Sequence, residues 1–390
     1  MIKVVHICPV FNDGWSYQEN LIVNIQAEEG FEVTVITSLN AITDYKVDNS
    51  QSSDYFIGKV RILRLKFDFL FFKRLYFLKN LISILESIEP DIIMIHGLQM
   101  LPLFQVKGYI SKKVKCLVYA DFHADYVISG RNFISKFFLH KIFWRFVIKR
   151  FIYFIEEIYY TRPSVKRFSM DMYGINESQL KPLFLGSEFD LPNLNERKSI
   201  SSTFRSQLGI KETDFIILSG GKITNTDNIS KIIIALNSLN NVNVHFVMFG
   251  SIDQFFLSQL IDVVVNKNNF HYIGWLNSKQ VFEAMISSSC AIFLDRHSVL
   301  WEQAIGSGLP IIIKYDIDRE YLNSDNNVHF IYSDMWEELI QAFILITNDS
   351  YYCFLRDNTI KKASGVFNFS NIIGDLNQKW KQKFHNENKR

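Results

Sequence analysis

The chain has 390 residues, 48% of them hydrophobic, and a formal net charge of only +2 at pH 7. This length exceeds what one hydrophobic core usually supports, so we expect two domains. The near-neutral charge argues against a general nucleic-acid binder, which needs a strongly basic surface.

The cysteines and the first residues predict a cytoplasmic protein. The four cysteines form neither a CxxC pair nor a zinc spacing, and they are Cys8, Cys116, Cys290 and Cys353. Such cysteines are expected to be buried thiols in a reducing compartment. The chain starts with the strand-like IKVVHICPVF in place of a signal peptide. It has no run of about 18 uncharged apolar residues, so we predict no transmembrane helix.

Short Val- and Ile-rich runs alternate with helical patterns in the first half of the chain. The predicted strands are residues 2–8, 32–37, 60–65, 91–95, 115–120 and 158–161. The predicted helices are residues 18–29, residues 75–88 and a long aromatic segment after residue 120. Nearly continuous apolar strands separated by helices predict a parallel sheet covered on both faces.

The same pattern restarts after a polar stretch, residues 187–213, which is predicted to contain the linker between the domains. The predicted strands are residues 215–219, 244–249, 271–273 and 290–294, and the predicted helices are residues 229–239, 254–266 and 278–287. A short helix, a Gly-Pro turn and a β-branched strand follow in HSVLWEQAIGSGLPIII, residues 297–313.

These patterns predict an α/β protein of two doubly wound Rossmann-like domains facing a cleft. We expect the first domain to span residues 1–190 and the second residues 191–369, with a helix at 370–390 crossing back over the first. Open α/β sheets bind ligands beyond the carboxyl ends of their strands, so the loops just after strands are the candidate sites.

The segment at residues 297–313 suits a sugar nucleotide. A helix N-terminus attracts phosphate, and an acid one turn into the helix, Glu302, can hydrogen-bond a sugar diol. The ordinary alternative is a plain strand–helix–strand connection with a solvated glutamate.

Three loops of the first domain carry polar residues directly after predicted strands. CPVFNDGWSYQEN contains Gly14, which permits a tight turn, and IHGLQ contains His96. ADFHADY contains His123 between Asp121 and Asp125, a setting in which a histidine can position a sugar or transfer a proton. These histidines can also be simple loop residues, and a metal site formed by the ADFHADY side chains is a weaker alternative.

The loop SGGKITNTDNISK follows the strand at residues 215–219. Gly220 and Gly221 let the backbone approach a ligand, and Lys222 and Lys231 bracket the loop. Two cations on a Gly-rich loop suit a diphosphate. The spacing is not that of a P-loop, and two solvated lysines are the alternative interpretation.

The ordered set of motifs resembles the GT-B glycosyltransferases of the large nucleotide-sugar-dependent family 4, also called glycosyltransferase group 1. In the second half these motifs are GGK with a lysine nine positions on, HFVMFGS, FHYIGWLNSKQVFEAM and HSVLWEQAIGSGLP. In the first half GFEVTVITS is similar to the family's GHEVTVIT strand, and LKPLFLGSEFD is similar to its hinge. The resemblance covers nearly the whole chain and implies a retaining glycosyltransferase.

The resemblance also assigns roles to residues. It implies that Lys222 and Lys231 bind the donor diphosphate and that Glu302, as the second glutamate of an E-x7-E motif, contacts the ribose. The first glutamate falls at Leu294, which leaves Asp295 or His297 to take its role, and His123 matches the histidine near the donor sugar. The remaining donor-binding positions that it implies are Gly14, Gly221, Gly250, Ile273, Trp275, Ser298, Val299 and Leu300.

The function that these roles imply is transfer of a sugar from a nucleotide-sugar donor, such as a UDP-sugar, to a glycan or lipid-linked glycan acceptor. Bacterial surface polysaccharide or glycoconjugate synthesis is the expected setting, without a cofactor or a metal ion. Two alternatives stay open: a nucleotide-sugar epimerase of the same fold, and a partner subunit of this fold that has lost catalysis.

Two basic aromatic segments suggest contact with an anionic membrane. Residues 131–154 carry Lys141, Arg145 and Lys149 at helical spacing among Phe and Ile, and residues 66–80 have a similar composition. Basic amphipathic helices bind anionic lipid surfaces, so the inner face of the plasma membrane is an expected location. A core helix whose cationic side chains reach outward is the alternative.

Overall fold

The structure is a computed structural model that describes residues 1–14, 17–39, 53–71, 75–112, 115–127, 129, 133, 135–223, 227–239, 241–294, 297–333 and 335–388. The chain forms two compact units, Met1–Phe184 with Ile372–Arg390 and Leu185–Asn371. The sequence placed this boundary at residue 190. It lies earlier because the backbone of Ser187 already pairs with Phe367 and Phe369, at 2.8 and 2.9 Å, inside the second unit.

The first unit is built on a sheet of eight strands. The strands of the unit are β1 (Lys3–Ile7), β2 (Glu32–Ser38), β3 (Ser53–Ile57), β4 (Val60–Leu65), β5 (Phe67–Phe71), β6 (Leu75–Leu78), β7 (Ile92–His96), β8 (Leu117–Phe122), β9 (Glu157–Tyr160) and β10 (Leu180–Pro182). The sheet order is β10-β9-β8-β7-β1-β2-β4-β3, and β5 and β6 form a separate hairpin. Apart from the antiparallel pair β3–β4, neighbouring strands of the sheet are parallel. The order reverses between β1 and β7, which makes their carboxyl ends the natural ligand edge.

Helices cover both faces of this sheet, as the strand composition predicts. They are α1 (Gln18–Glu28), α2 (Leu81–Ile88), α3 (Pro102–Ile110), a π-helix (Ser135–Trp144) that continues as α4 (Arg145–Lys149), and α5 (Pro163–Phe168). The C-terminal helix (Phe369–Asn388) also packs here, because the buried Trp380 stacks on Tyr119 at 4.6 Å between ring centroids.

The predicted helix at residues 75–88 is wrong in its first half. Residues 75–78 form β6, which pairs with β5, and only Leu81–Ile88 is helical. The alternating burial along β6 fits a strand, and Asn80 interrupts the run with a positive φ of 60°. The basic aromatic segment at residues 66–80 is therefore a hairpin where it is described.

The second unit contains a fully parallel sheet of six strands. They are β11 (Phe215–Lys222), β12 (Val244–Ser251), β13 (Phe270–Tyr272), β14 (Cys290–Phe293), β15 (Ile311–Lys314) and β16 (Val328–Ile331), in the order β13-β12-β11-β14-β15-β16. The helices are α6 (Leu194–Leu208), α7 (Asp227–Leu239), α8 (Gln254–Val263), α9 (Ser278–Ser287), α10 (Leu300–Gly306), α11 (Trp336–Ile346), α12 (Asp349–Asn358) and α13 (Ser364–Val366). The strand order reverses between β11 and β14.

The polar stretch at residues 187–213 is mostly a helix, which the prediction of a linker missed. Asn193 caps α6 through a reciprocal capping box with Glu196, and Gly209 ends it in the left-handed conformation. Capping boxes and C-terminal glycines are helix boundary signals even where the sequence between them is polar. A polar composition alone was therefore a poor guide to a loop.

Burial of the thiols differs from the expectation of four buried cysteines. All four are free; Cys8 and Cys290 are buried, whereas Cys116 is partly buried and Cys353 is exposed. Among the described residues, no helix is long and apolar enough to span a bilayer.

Candidate functional site

A cavity of about 500 Å³ opens in the second unit at the point where the strand order reverses. Its described lining residues are Ser219, Gly220, Gly221, Lys222, Ile223, Asn228, Ile229, Ile232, Phe293, Leu294, His297, Ser298 and Trp301. They come from the carboxyl ends of β11 and β14, the first turns of α7 and the segment leading into α10. We call this cavity the switch-point pocket.

Three glycines allow β11 and β12 to approach each other at the edge of the switch-point pocket. The sequence placed Gly220, Gly221 and Lys222 in a loop, but they are the last residues of β11 and stay paired with β12. Gly250 lies opposite Gly221 with a φ of 112°, and a Cβ at Gly250 would lie 1.9 Å from the Gly221 carbonyl oxygen. Only glycine fits there, so Gly250 shapes the pocket through the backbone.

The two predicted diphosphate-binding lysines lie at different places. Lys222 is exposed and lines the pocket at the end of β11. Lys231 lies on the first half of α7, one turn beyond the lining residues Asn228 and Ile229. The described part of the pocket lining contains the cation of Lys222 and no carboxylate.

Glu302 is completely buried behind the pocket. Its Oε1 accepts a hydrogen bond from the Tyr321 hydroxyl at 2.6 Å and lies 2.8 Å from His297 Nε2. His297 is partly exposed, lines the pocket and packs edge-on against Trp301, at 5.2 Å between ring centroids. Glu302 therefore orients His297, and its predicted contact with a ribose stays a prediction.

The other predicted donor-binding residues surround this region. Ser298 lines the pocket, Val299 precedes α10, and Leu300 is buried with its methyl group near Gly221. The helix α10 has seven residues, in agreement with the short helix predicted for this segment. Asp295, a candidate for the missing acid, lies outside the described residues.

The predicted base-binding residues follow β13. Ile273 donates its backbone N–H to Met248 at 2.9 Å, which continues the pairing with β12. Trp275 is 75% exposed, so its indole is available to a ligand. The backbone N–H of Gly250 bonds to the carbonyl of Gly274 at 2.7 Å and fixes this turn next to β12.

The first unit places His123 at the carboxyl end of β8, as predicted. Its Nε2 lies 3.4 Å from Asp121 Oδ1 and 4.0 Å from Glu19 Oε1, and 40% of the side chain is exposed. Glu19 comes from the first turn of α1, beyond the loop that contains Gly14. Gly14 has a φ of 72°, which supports the predicted tight turn.

Behind His123 lies a buried chain of hydrogen bonds that the sequence analysis only partly anticipated. Asp121 Oδ2 lies 2.6 Å from His96 Nδ1, His96 Nε2 lies 2.9 Å from His6 Nδ1, and His6 Nε2 lies 2.7 Å from Gln26 Oε1. His6 was missed, although a histidine inside the apolar strand VVHIC is a signal, because a buried polar group needs a partner. We call His6, His96 and Asp121 the buried triad.

These contacts set the charge of His123. Burial lowers its pKa, but the negative charge and hydrogen bond of Asp121, together with Glu19, outweigh burial and raise the pKa to about 9. Burial raises the pKa of Asp121, but the two neighbouring histidines hold it well below its ordinary value. Burial, reinforced by His96, lowers the pKa of His6 to about 3. At neutral pH the site presents a cationic His123 beside an ionised Asp121.

The side chains around His123 that could ligate a metal ion already have partners within the protein in several cases. Ligand atoms of Glu19, His96 and His123 lie within 4.8 Å of one another, but both ring nitrogens of His96 already have partners in the buried triad. Asp125, which belongs to the weaker alternative set with Asp121 and His123, forms an ion pair with Arg162, and that alternative stays a prediction.

The comparisons with known proteins agree with this geometry. Residues 201–364 match the family model described as glycosyl transferases group 1. This range lies in the second unit and contains the switch-point pocket, so the resemblance to group 1 is confirmed there. Comparison with curated protein sequences gives no match.

Solved structures of low sequence identity share the fold over nearly the whole chain. Sucrose-phosphate synthase from Thermosynechococcus elongatus has a TM-score of 0.66 and 12% identity, covering 99% of this chain and 100% of its own. HepE from Anabaena, solved in complex with UDP, has a TM-score of 0.66 and 14% identity, covering 98% and 100%. A putative UDP-N-acetylglucosamine 2-epimerase from Listeria monocytogenes has a TM-score of 0.59 and 12% identity, covering 99% and 97%. The predicted GT-B fold class, with two Rossmann-like units, is confirmed.

Proposed function

We propose that the protein is a glycosyltransferase that takes its sugar from a nucleotide-sugar donor bound in the switch-point pocket. The observation that carries this proposal is the position of the pocket, where β11 and β14 end, with Gly220, Gly221 and Lys222 at its edge. Gly-rich backbone and a lysine, with no carboxylate in the described part of the lining, suit a diphosphate. The match of residues 201–364 to the group 1 model supports the same class of ligand.

A UDP-sugar is the donor that we propose. HepE, which has the same fold, was solved with UDP, and a nucleoside diphosphate is within the size that a pocket of about 500 Å³ accepts. We propose that the cationic side chains Lys222 and Lys231 take the charge of the leaving diphosphate without a metal ion. Activity is expected to persist in EDTA.

His123 is proposed as the group of the first unit that acts on the donor sugar. With a pKa of about 9, His123 is protonated at neutral pH. It can therefore donate a hydrogen bond and stabilise negative charge, but it is a poor general base. The acceptor that we propose is a glycan or lipid-linked glycan in bacterial surface polysaccharide or glycoconjugate synthesis, with retention of the anomeric configuration. NMR analysis of the product anomer tests the retention.

Calorimetric titration with UDP tests the proposed donor site. Lys222→Ala is expected to weaken UDP binding about tenfold, and Lys231→Ala is expected to slow transfer. Each change removes a positive side chain that is proposed to interact with the diphosphate. The matched control is Lys279→Ala, which removes an exposed cation from α9 of the same unit. Equal UDP affinity in wild type, Lys222→Ala and Lys279→Ala would contradict the proposed pocket.

The two alternatives predict different outcomes in a donor assay. An epimerase, the class of the Listeria neighbour, converts the UDP-sugar into an isomer without an acceptor. A partner subunit without catalysis neither transfers nor isomerises the sugar. Incubation with a panel of nucleotide sugars, with and without acceptor, therefore separates the three functions.

We also propose that the protein binds anionic membranes through the exposed side of the π-helix and α4, which we call the aromatic face. Phe137, Phe138, Ile142 and Phe146 are exposed there. Four exposed cations lie on or directly after the same segment, and they are Lys136, Lys141, Lys149 and Arg150. Apolar rings beside cations complement the acyl boundary and the phosphates of an anionic bilayer.

The cations of the aromatic face differ from the predicted stripe of Lys141, Arg145 and Lys149. Arg145 is only partly exposed, because its guanidinium packs over Gly174, where a Cβ would lie 2.8 Å from Nη2. Arg150, which the stripe did not include, stacks on Phe146 with its guanidinium carbon 3.9 Å from the ring centroid. A π-helix has more residues per turn than an α-helix, so residues four apart do not stay on one side of this segment. The spacing of Lys141, Arg145 and Lys149 therefore did not predict which cations are exposed together.

Vesicle sedimentation tests the aromatic face. Wild-type protein is expected to sediment with phosphatidylglycerol vesicles at low salt and not with phosphatidylcholine vesicles. Lys141→Glu with Lys149→Glu is expected to abolish binding, whereas Lys59→Glu with Lys379→Glu, the same charge change at exposed positions of the same unit, retains it. Equal loss in both double variants would mean that net charge, and not this face, drives binding.

A further inference from the structure

The second unit has another polar cavity, of about 210 Å³, at the opposite edge of its sheet. Glu212 precedes β11, and Ser287 and Ser288 precede β14, so this cavity lies at the amino ends of the two strands whose carboxyl ends form the switch-point pocket. The eight residues of β11 separate the two edges by about 25 Å at 3.3 Å per residue. A ligand in one cavity therefore does not touch the other.

Cationic side chains dominate the walls of this cavity, which we call the arginine cavity. Arg197, Lys198 and Arg205 lie on α6, and Arg356 lies on α12. Arg197, Ser201 and Arg205 follow one another at intervals of four residues, so they lie on one face of α6, and Lys198 lines the cavity beside them. The described lining contains one carboxylate, that of the exposed Glu212.

The arginines of the cavity contact neutral partners. Arg205 is buried and donates to the Ser201 hydroxyl and to the backbone carbonyls of Lys211 and Asp214, at 2.8–3.2 Å. Arg356 donates to the Tyr352 hydroxyl at 2.5 Å. Among the described residues, none of the three arginines has a carboxylate within ion-pair distance.

Arg197 supplies an unsatisfied donor. Its Nε is buried and has no hydrogen-bond partner among the described residues. A buried donor without a partner is costly, and arginine N–H groups are matched best by phosphate or carboxylate oxygens. Arg197 lines the cavity, so an anion there is a candidate partner for its guanidinium group.

The pKa values of these arginines also favour a bound anion. Burial and then the charge of Arg356 lower the pKa of Arg197 below its ordinary value. Burial also lowers the pKa of Arg205, and Arg356 adds to this effect against the opposing influence of Glu212. The cations repel one another, and a bound anion relieves that repulsion.

We propose that the arginine cavity is a second anion site, which binds the phosphate group of a small phosphorylated ligand. The volume is below the range of pockets that enclose whole drug-sized ligands, so it suits one phosphate or diphosphate group and not a complete nucleotide sugar. Bidentate arginine contacts favour phosphate over a monovalent anion. The site is independent of the donor pocket and of the proposed activity.

Calorimetry in the presence of saturating UDP tests this site, because UDP occupies the switch-point pocket if that proposal holds. The probes are inorganic phosphate, inorganic pyrophosphate and glucose 1-phosphate, which distinguish a free anion from a phosphorylated sugar. Wild-type protein is expected to bind at least one of them. Arg197→Ala with Arg356→Ala is expected to bind it at least about tenfold more weakly and to bind UDP as wild type does.

The control pair is Lys267→Ala with Lys279→Ala, which removes two exposed cations from the same unit and is expected to bind the probe normally. If the double arginine variant fails to fold, Lys198→Glu gives the same test from an exposed position. Unchanged probe binding in the arginine variant or in Lys198→Glu would overturn the proposal. So would an absence of probe binding to wild type, or a loss that appears only in Lys222→Ala.

Discussion

In the first unit, three buried side chains support one half-exposed imidazole, whereas in the second unit two glycines and the exposed Lys222 lie at the edge of a pocket walled by buried apolar side chains. The buried triad fixes Asp121 from behind, and Asp121 in turn fixes the charge of His123. At the switch-point pocket, Gly221 and Gly250 provide space, and the cation of Lys222 is exposed.

This difference shows two ways to prepare a polar site. A buried network is satisfied internally, so His123 is charged and oriented before any ligand arrives. The pocket of the second unit offers exposed donors and room, and its groups gain partners when an anion binds. The comparison predicts that changes in the first unit alter rates and pH dependence, while changes in the second unit alter nucleotide affinity or the fold.

The largest expected effect comes from Gly250→Ala, which tests whether backbone packing forms the pocket. The new Cβ meets the Gly221 carbonyl at 1.9 Å in a backbone conformation that alanine rarely adopts. The second unit should lose about 3 kcal/mol or more of unfolding free energy, measured by denaturant titration. Gly365→Ala, at a position with open space around the new Cβ, is the control. Equal stability of both variants would contradict the close approach of β11 and β12.

His123→Ala tests the other half of the comparison. It should reduce kcat by about 100-fold and leave UDP affinity unchanged, because the lost cation acts on the sugar and not on the nucleotide. His385→Ala, at an exposed position of the C-terminal helix, is the control. If His123→Ala transfers normally and His297→Ala is inactive, the catalytic group lies in the second unit.

Glu302→Gln asks whether the buried glutamate acts through His297. The binding free energy of UDP should weaken by about 1.5–3 kcal/mol. The change removes a charge-assisted hydrogen bond to His297, which lines the pocket. The double variant Glu302→Gln with His297→Ala should bind no more weakly than His297→Ala alone, since both changes break one interaction. Glu283→Gln on α9 is the control. Additive losses would indicate that Glu302 contacts the nucleotide directly.

Asp121→Asn should shift the pH dependence of kcat and lower kcat near neutral pH by no more than the loss in His123→Ala, because the imidazole remains and only its charge changes. In the wild type, activity that needs cationic His123 is complete below its pKa of about 9 and is lost as the pH rises through that value. Without the carboxylate of Asp121, burial lowers the pKa of His123, so the alkaline limb of kcat should move to lower pH. A pH profile with an unchanged alkaline limb would show that another group controls it.

Much of the secondary structure could be predicted because burial patterns are local. The strand at residues 60–65 and the helix at residues 278–287 have the bounds that their apolar periodicity predicted. The helix α6 was missed because its buried side is carried largely by polar residues such as Arg205, which only tertiary contacts can satisfy. The hairpin β5–β6 was missed because short apolar runs do not distinguish a strand from a helix.

Some residues of the candidate sites could be recognised from the sequence, and others could not. The glycines, Lys222 and the HSVLW segment could be recognised from the sequence, because each lies in one short motif next to one strand. His6 signals from the sequence that a buried polar group needs a partner, but not that Gln26 and His96 are the partners. Arg197 could not be recognised, because the other arginine that shares its cavity, Arg356, lies on the separate helix α12.

The sequence by itself determined the two Rossmann-like units and the loops that follow their strands, because hydrophobic periodicity and turn residues act over a few positions. Only the tertiary structure decided that His6, His96 and Asp121 form one buried chain, that Glu302 lies behind His297, and that arginines from α6 and α12 share a cavity. These arrangements depend on the distance and burial of side chains that are remote in sequence, and such quantities are set by packing.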